Sequence, residues 1–270
     1  MLLLKRIAIF IFLLLHYSFY GQTTLLSWNL ENFGKSKSDS EINFIANTLK
    51  SYDIVAIQEV VAGPGGAQAV ARLADELNRK GSKWDYVISD PTSSSANKTE
   101  RYAFIWKTAK IKKIGKAWLE KKYHLEIERE PFYCTFEYDE KQFTVASFHA
   151  ITKSKQPETE IKYFKLLPAE YPNLNLVFLG DFNCPQSHTV FNPLRKMGYQ
   201  SAFVHQKTSL KKKCDGSNCL ASEFDNIWFN KSRIKKIASE VVPFYKSFQT
   251  LKEARAISDH IPITIEFMPL

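Results

Sequence analysis

The chain has 270 residues, 44% of them hydrophobic, and carries 37 Lys and Arg against 28 Asp and Glu for a formal charge of +9. That length and apolar content suit one large domain with a substantial core, and no repeat or low-complexity segment is present. The positive charge is compatible with nucleic acid, anionic lipid or plain solvent and selects none of them.

Lys5 and Arg6 precede nine unbroken apolar residues, 7–15, followed by small and polar ones. This is the charged-then-apolar order of a secretory signal, and the run is too short to span a bilayer. Cleavage near Gly21 or Gln22 is expected, with an uncleaved anchor as the alternative. The expected organisation is therefore a signal at residues 1–22 and a single domain at 23–270, secreted or periplasmic and without stable membrane association. Four cysteines follow: Cys134, Cys184, Cys214 and Cys219. An even set in an exported chain with no Cys-x-x-Cys predicts disulfides rather than a metal site. Cys214 and Cys219 flank the turn-rich Asp215-Gly216-Ser217-Asn218 and are expected to pair, leaving Cys134 with Cys184. Cys184 to Cys219 is the rival pairing.

Residues 24–29 form a short apolar run that stops at Asn29. An amphipathic helix is predicted over 40–49, with Ile42, Ile45, Ala46 and Leu49 at helical spacing. Residues 52–59 read as a buried strand ending at Glu59. A helix follows at 67–80 after the Gly63-Pro64-Gly65-Gly66 break, with a strand at 84–88 and a loop at 91–98. Residues 99–106 alternate polar and apolar, as a half-exposed strand would, and 111–120 extend the sheet. Residues 132–138 and 142–149 predict a hairpin whose second strand ends at His149. A helix at 159–167 leads to Leu176-Val177-Phe178-Leu179-Gly180-Asp181-Phe182-Asn183, an apolar strand buried on both faces that delivers an aspartate and an asparagine at its end. Residues 207–221 read as a basic loop, 224–229 and 237–244 as strands, and 258–265 as the closing strand. Strands alternating with helices, with hairpins between, predict two packed sheets covered by helices.

Five strand ends thus carry Asn29, Glu59, His149, Asp181 with Asn183, and Asp259 with His260, while Glu100 and Asp225 lie nearby. Taken singly, each is an ordinary turn or cap residue. Together, carboxylates, amides and imidazoles are the donors that a hard cation and a phosphate require.

The motifs Ser27-Trp28-Asn29, Gln58-Glu59, Glu100-Arg101-Tyr102, Arg129-Glu130-Pro131, Phe148-His149, Gly180-Asp181-Phe182-Asn183, Asp225-Asn226 and Ser258-Asp259-His260-Ile261-Pro262 resemble, in this order and spacing, the endonuclease/exonuclease/phosphatase superfamily. The deoxyribonuclease I branch is the most similar part of it, and the likeness runs from about residue 25 to 267. The resemblance implies an α/β fold, a four-layer α/β/β/α sandwich of two mixed sheets flanked by helices. It implies Mg²⁺ or Mn²⁺ at Glu59 with Asn29 beside it, and Asp181, Asn183 and Asp259 holding a second ion or the scissile phosphate and its nucleophile. Some relatives also carry structural Ca²⁺, although no separate loop here demands it. His260 is expected to take a proton from water and His149 to return one to the leaving 3′ oxygen, because imidazole titrates near neutral pH. Asp225 and Glu100 would orient these two rings.

Arg101, Arg129 and Lys98 are the expected phosphate contacts. Two departures stand out. Val61 and Lys98 occupy positions where this branch usually carries an arginine and a tyrosine that reach into the DNA minor groove. Lys98 and the Lys211-Lys212-Lys213 run would offer backbone contacts instead, which are salt-dependent and tolerant of sequence. The reading that results is a secreted, metal-dependent endonuclease of little sequence preference, acting as a monomer on DNA. Alternatives are a phosphoesterase of the same superfamily acting on a phospholipid or inositol phosphate, and a secreted binding protein without catalysis.

Overall fold

The computed structural model describes residues 21–94 and 99–270. Residues 1–20, with nearly all of the expected signal, and Lys98 lie outside the described residues. The chain lays down β1 (Thr23–Phe33), α1 (Asp39–Leu49), β2 (Ile54–Val61), α2 (Pro64–Asn78), β3 (Trp84–Ile88), β4 (Glu100–Lys107), β5 (Lys112–Leu119), β6 (Phe132–Tyr138) and β7 (Lys141–His149). It continues with α3 (Glu158–Ile161), α4 (Leu167–Glu170), β8 (Leu176–Asp181), α5 (Asn192–Lys196), β9 (Tyr199–Ser201), β10 (Leu210–Asp215), β11 (Asn218–Leu220), β12 (Asp225–Asn230), β13 (Ile234–Val241), α6 (Leu251–Ile257) and β14 (Ile263–Pro269).

Two six-stranded sheets result, ordered β13-β14-β1-β2-β4-β3 and β5-β6-β7-β8-β12-β9. Each is mixed, because β1 with β2 and β7 with β8 run parallel while the other pairs are antiparallel. Three separate cores define four layers. Helices α1, α2 and α6 bury Ile45, Leu73 and Ile257 on the outer face of the first sheet against Trp28 and Ile57. Leu25, Ile54 and Phe104 meet Val145, Leu179 and Ile227 between the sheets. Phe164, Leu167 and Leu194 cover Phe148 and Phe178 on the outer face of the second. The predicted α/β/β/α sandwich is the observed one.

Local chemistry explains where the elements differ from expectation. Helix α1 starts behind a Ser38–Glu41 capping box, and α2 begins at Pro64, earlier than its apolar stripe suggests, because proline suits the first helical position. The helix expected at 159–167 is broken into α3, a tighter turn and α4, with Pro168 opening the last. β4 is buried rather than half-exposed, since it lies inside its sheet between β2 and β3. The strand expected at 237–244 begins earlier and ends at Val241, and the closing strand starts only at Ile263, which leaves Asp259 and His260 on the loop before it. Residues 207–221 are not an irregular loop: they contain the β10–β11 hairpin, closed by a Cys214–Cys219 disulfide. Cys134 and Cys184 are buried free thiols in different cores, so their pairing is corrected: a sheet separates them.

Gly180 shows why the central strand must break as it does. Its φ is +126°, and a Cβ there would fall 2.0 Å from the Phe148 carbonyl oxygen on the neighbouring β7. Gly180→Ala is expected to destabilise the protein by at least about 2 kcal/mol, read as a lowered urea midpoint, because strain and steric overlap act together.

Candidate active site

The parallel pairs β1–β2 and β7–β8 end at one rim of the sandwich, and the sheets are joined there by polar contacts. Gln58 Nε2 crosses the gap to donate to Ser147 Oγ at 2.8 Å, and Asn29 Nδ2 donates to Asp181 Oδ2 at 3.2 Å. Register shifts interrupt the pairing of β1 and β2 beyond Asn29, and of β2 and β4 beyond Ile57. At this break Glu59 adopts φ +60°, as Asn183 adopts +48° at the end of β8. Each such residue costs about 1–3 kcal/mol, a strain that packing must outweigh and that marks sites where a side chain is re-aimed.

Asp181 sits at the centre, buried to 1% exposure. Its Oδ2 faces His149 Nε2 at 3.5 Å and His260 Nε2 at 3.6 Å, and its Oδ1 accepts from the Asn183 backbone N–H at 2.8 Å. Each ring is anchored from behind: His149 Nδ1 on Glu100 Oε2 at 2.9 Å, His260 Nδ1 on Asp225 Oδ2 at 2.7 Å. Two imidazole–carboxylate pairs therefore present their free Nε2 atoms to one carboxylate from two sides. Asp181, Asp225 and His260 could together surround a cation. The Asp225 bond to Nδ1 makes this trio an oriented ring and its facing carboxylate instead.

The charges hold one another. Burial favours the neutral acid at Asp181, but the facing His260 and His149 rings outweigh it and lower its pKa below the ordinary aspartate value. Burial also opposes protonation of His149, yet the Glu100 charge raises its pKa above the usual histidine range. At His260 burial is overcome by Asp225 and then Asp181, and the ring is held well above that range. Opposite charges at these separations in a desolvated pocket account for the direction of all three.

Several supporting side chains carry no functional signal of their own in the sequence, although four of them lie inside the quoted motifs. The Tyr102 hydroxyl accepts from the His149 backbone N–H and donates to the Arg129 carbonyl, both at 3.1 Å. Ser258 Oγ donates to the Asn29 carbonyl at 2.6 Å and accepts from the His260 backbone N–H at 3.0 Å. Trp28 Nε1 donates to the His260 carbonyl at 2.8 Å, and Gln58 makes the cross-sheet bond above. Outside those motifs, Thr208 Oγ1 donates to Asp225 at 2.6 Å, and Lys37 Nζ donates to the Ala256 and Ile257 carbonyls at the end of α6. No local pattern marks Thr208 or Lys37, since their partners are remote in sequence.

The expected phosphate contacts fare unevenly. Arg129 reaches the pocket wall, but it is mostly buried and committed to Glu100 Oε2 at 3.3 Å and to the His149 and Ala150 carbonyls. It braces Glu100 and the end of β7. Arg101 is not brought to the site: its guanidinium donates to the Ala62 and Ser89 carbonyls, while Glu100 and Tyr102, its neighbours along β4, reach His149. Asp259 is paired with Arg255 at 3.5 Å on the rim. A cleft of about 280 Å³ opens over Glu59, Glu100 and Arg129, bordered by the exposed Val61. The larger cavity, about 910 Å³, lies over the edge strands β3 and β5 and contains none of the candidate catalytic residues.

The donors fit a hard divalent cation. Asn29 Oδ1 is fully buried and accepts no hydrogen bond, an orphan that a protein rarely tolerates. Beside it, Glu59 accepts from Asn29 Nδ2 at 3.0 Å and the Asn32 backbone N–H at 3.1 Å, with lone pairs to spare. Burial, with the nearby charges of Asp259 and Glu59 adding to it, raises the pKa of Glu31 above the ordinary glutamate value.

A family model described as "Endonuclease/Exonuclease/phosphatase family" matches residues 26–260. The chain belongs to this family. It is 25% identical over 297 residues to a deoxyribonuclease of Thioalkalivibrio sp. (strain K90mix), covering 98% of this chain and 77% of that protein. It is 26% identical over 275 residues to human deoxyribonuclease gamma, covering 88% and 84%. Among solved structures, an endonuclease/exonuclease/phosphatase family protein from Bacteroides thetaiotaomicron superposes with a TM-score of 0.67 at 18% identity, covering 92% of this chain and 97% of that one. The kinship places the chain in the deoxyribonuclease I-like branch as a phosphodiester hydrolase. The family's chemistry depends on a divalent metal, consistent with the donor set around Glu59.

Proposed function

We propose that this protein is an exported, Mg²⁺- or Mn²⁺-dependent endonuclease that hydrolyses DNA phosphodiester bonds with little sequence preference. The observation that carries the reading is the pair of carboxylate-anchored histidines whose Nε2 atoms converge on Asp181. Hydrolysis of a phosphodiester needs an activated water, neutralised phosphate charge and a protonated leaving oxygen. His260 takes the proton from water through Nε2, with Asp225 fixing the ring by its Nδ1–H. His149 returns a proton to the leaving 3′ oxygen, with Glu100 holding the ring and Arg129 holding Glu100. Asn183 and Asp181 position the phosphate and the attacking water between the rings.

Glu59 and Asn29 would hold the divalent ion, with Asp259 at its rim, and the bound ion would supply charge neutralisation for the phosphate. DNA as substrate is supported by the two deoxyribonuclease relatives. Export is supported by residues 5–15 and by the disulfide, which persists in oxidising compartments.

The test is nicking of supercoiled plasmid by the purified mature chain. Nicking with Mg²⁺ or Mn²⁺ that EDTA abolishes and added metal restores is the expected result. Turnover of bis(p-nitrophenyl) phosphate without any nicking would move the substrate to a lipid or sugar phosphate. Neither activity would leave a binding protein.

A further inference from the structure

The β10–β11 hairpin belongs to neither large sheet: it is a two-stranded unit of its own. A lone hairpin of this size is marginal in water, so what holds it is informative. Its base is fastened on both sides of His260. Ser209 forms a bridge with His260, the Leu210 N–H donates to the Asp259 carbonyl at 2.7 Å, and the Ile261 N–H donates to the Thr208 carbonyl at 2.8 Å. Arg255 Nη1 donates to the Leu210 carbonyl at 3.0 Å. Its far end is cross-linked by Cys214–Cys219. Between base and cross-link stand Lys211, Lys212 and Lys213, of which Lys212 and Lys213 are exposed and form no ion pair among the described residues. Residues 204–221 contain four lysines and only one acidic residue, Asp215.

Resting on the endonuclease reading, we infer that this disulfide-closed hairpin is the protein's grip on the DNA backbone. Val61 is 39% exposed beside Glu59 and offers a phosphate nothing. The hairpin offers three adjacent cations on a support anchored to the loop that bears His260, so a strand held there passes the catalytic rings. Cross-linking keeps those cations in one arrangement before DNA arrives, which lowers the ordering cost of binding.

Binding and chemistry are tested separately. Fluorescence anisotropy of a labelled 20-bp duplex in EDTA reads binding, and bis(p-nitrophenyl) phosphate turnover reads the pocket. Lys211→Ala/Lys212→Ala/Lys213→Ala should lower the slope of log K against log salt by roughly 0.9 per lost phosphate contact. For three contacts the wild type then loses on the order of 40-fold more affinity than the variant between 50 and 200 mM salt. Turnover of the small ester should not change, and the triple Lys→Arg variant should bind as wild type. Cys214→Ser/Cys219→Ser should bind DNA about 3–10-fold more weakly with the salt slope retained, since the charges remain but are no longer held.

An unchanged slope in the triple Ala variant, or equal loss on the small ester, overturns the inference. So does loss of binding to phosphatidylserine vesicles with DNA binding intact, which would make the hairpin a lipid contact. A wild type that binds duplex through the hairpin yet never nicks it would overturn the endonuclease reading and leave the grip standing.

Discussion

His149→Ala is expected to lower kcat for plasmid nicking by about 10²–10⁴-fold, the usual contribution of a positioned acid or base. The loss should be catalytic rather than structural. Glu100, which the ring would leave behind, keeps its ion pair with Arg129 at 3.3 Å, so no buried carboxylate is stranded without a partner. A fall of about 1–2 kcal/mol in urea stability is expected from the lost hydrogen bond. The leaving group decides whether His149 is the acid. The 3′ oxygen of a nucleotide is a poor leaving group that must be protonated, whereas p-nitrophenolate leaves unaided. The variant should therefore retain far more of its activity on bis(p-nitrophenyl) phosphate than on DNA. Equal losses on both substrates would remove the proton-donor role from His149.

Asp225→Asn tests the opposite ring. The carboxylate and then Asp181 raise the His260 pKa against the opposing effect of burial. A general base works only when unprotonated, so activity rises with pH as the ring loses its proton. Removing the Asp225 charge lowers the pKa of His260, and the acid limb of kcat/KM should move to lower pH. The plateau should fall by about 10–100-fold at the same time, because an amide no longer fixes the tautomer that leaves Nε2 free. Thr208 Oγ1 can still donate to the asparagine oxygen, so the pocket keeps its packing. A limb that stays in place while the plateau falls would assign the base elsewhere. A limb that moves upward would contradict the electrostatic account of the pair.

The candidate site positions are legible in the sequence because they lie at the ends of strands whose burial is written in their composition. In β8 four apolar residues precede a glycine and an aspartate, and every residue of the strand is buried. Such a strand can lie only in the interior of a sheet, and its polar end can lie only at a rim. The Cys214–Cys219 pair was likewise local, five residues apart across a turn. Helix α6 is not evident in the sequence: it is capped by a Thr250–Glu253 box, but the apolar stripe behind the box is short. The hairpin reads as a loop in the sequence because three consecutive lysines erase the alternation by which strands are recognised.

What the chain alone determined is the inventory: a mixed α/β sandwich, two histidines, the acids and amides beside them, and the aspartate at the end of β8. These follow from nearest-neighbour patterns, because burial and turn chemistry act over a few residues. Tertiary structure decided the partnerships. Asn29 meets Asp181 across 152 residues, His260 meets Asp225 across 35, and Ser258 ties β1 to the closing loop across 229. It also turned Arg101 and Arg129 from free cations into braces for backbone carbonyls and Glu100. A buried polar group must find a partner wherever the packed sheets bring one within hydrogen-bond distance, and sheet stacking, unlike helix period or strand alternation, is not encoded by any short stretch.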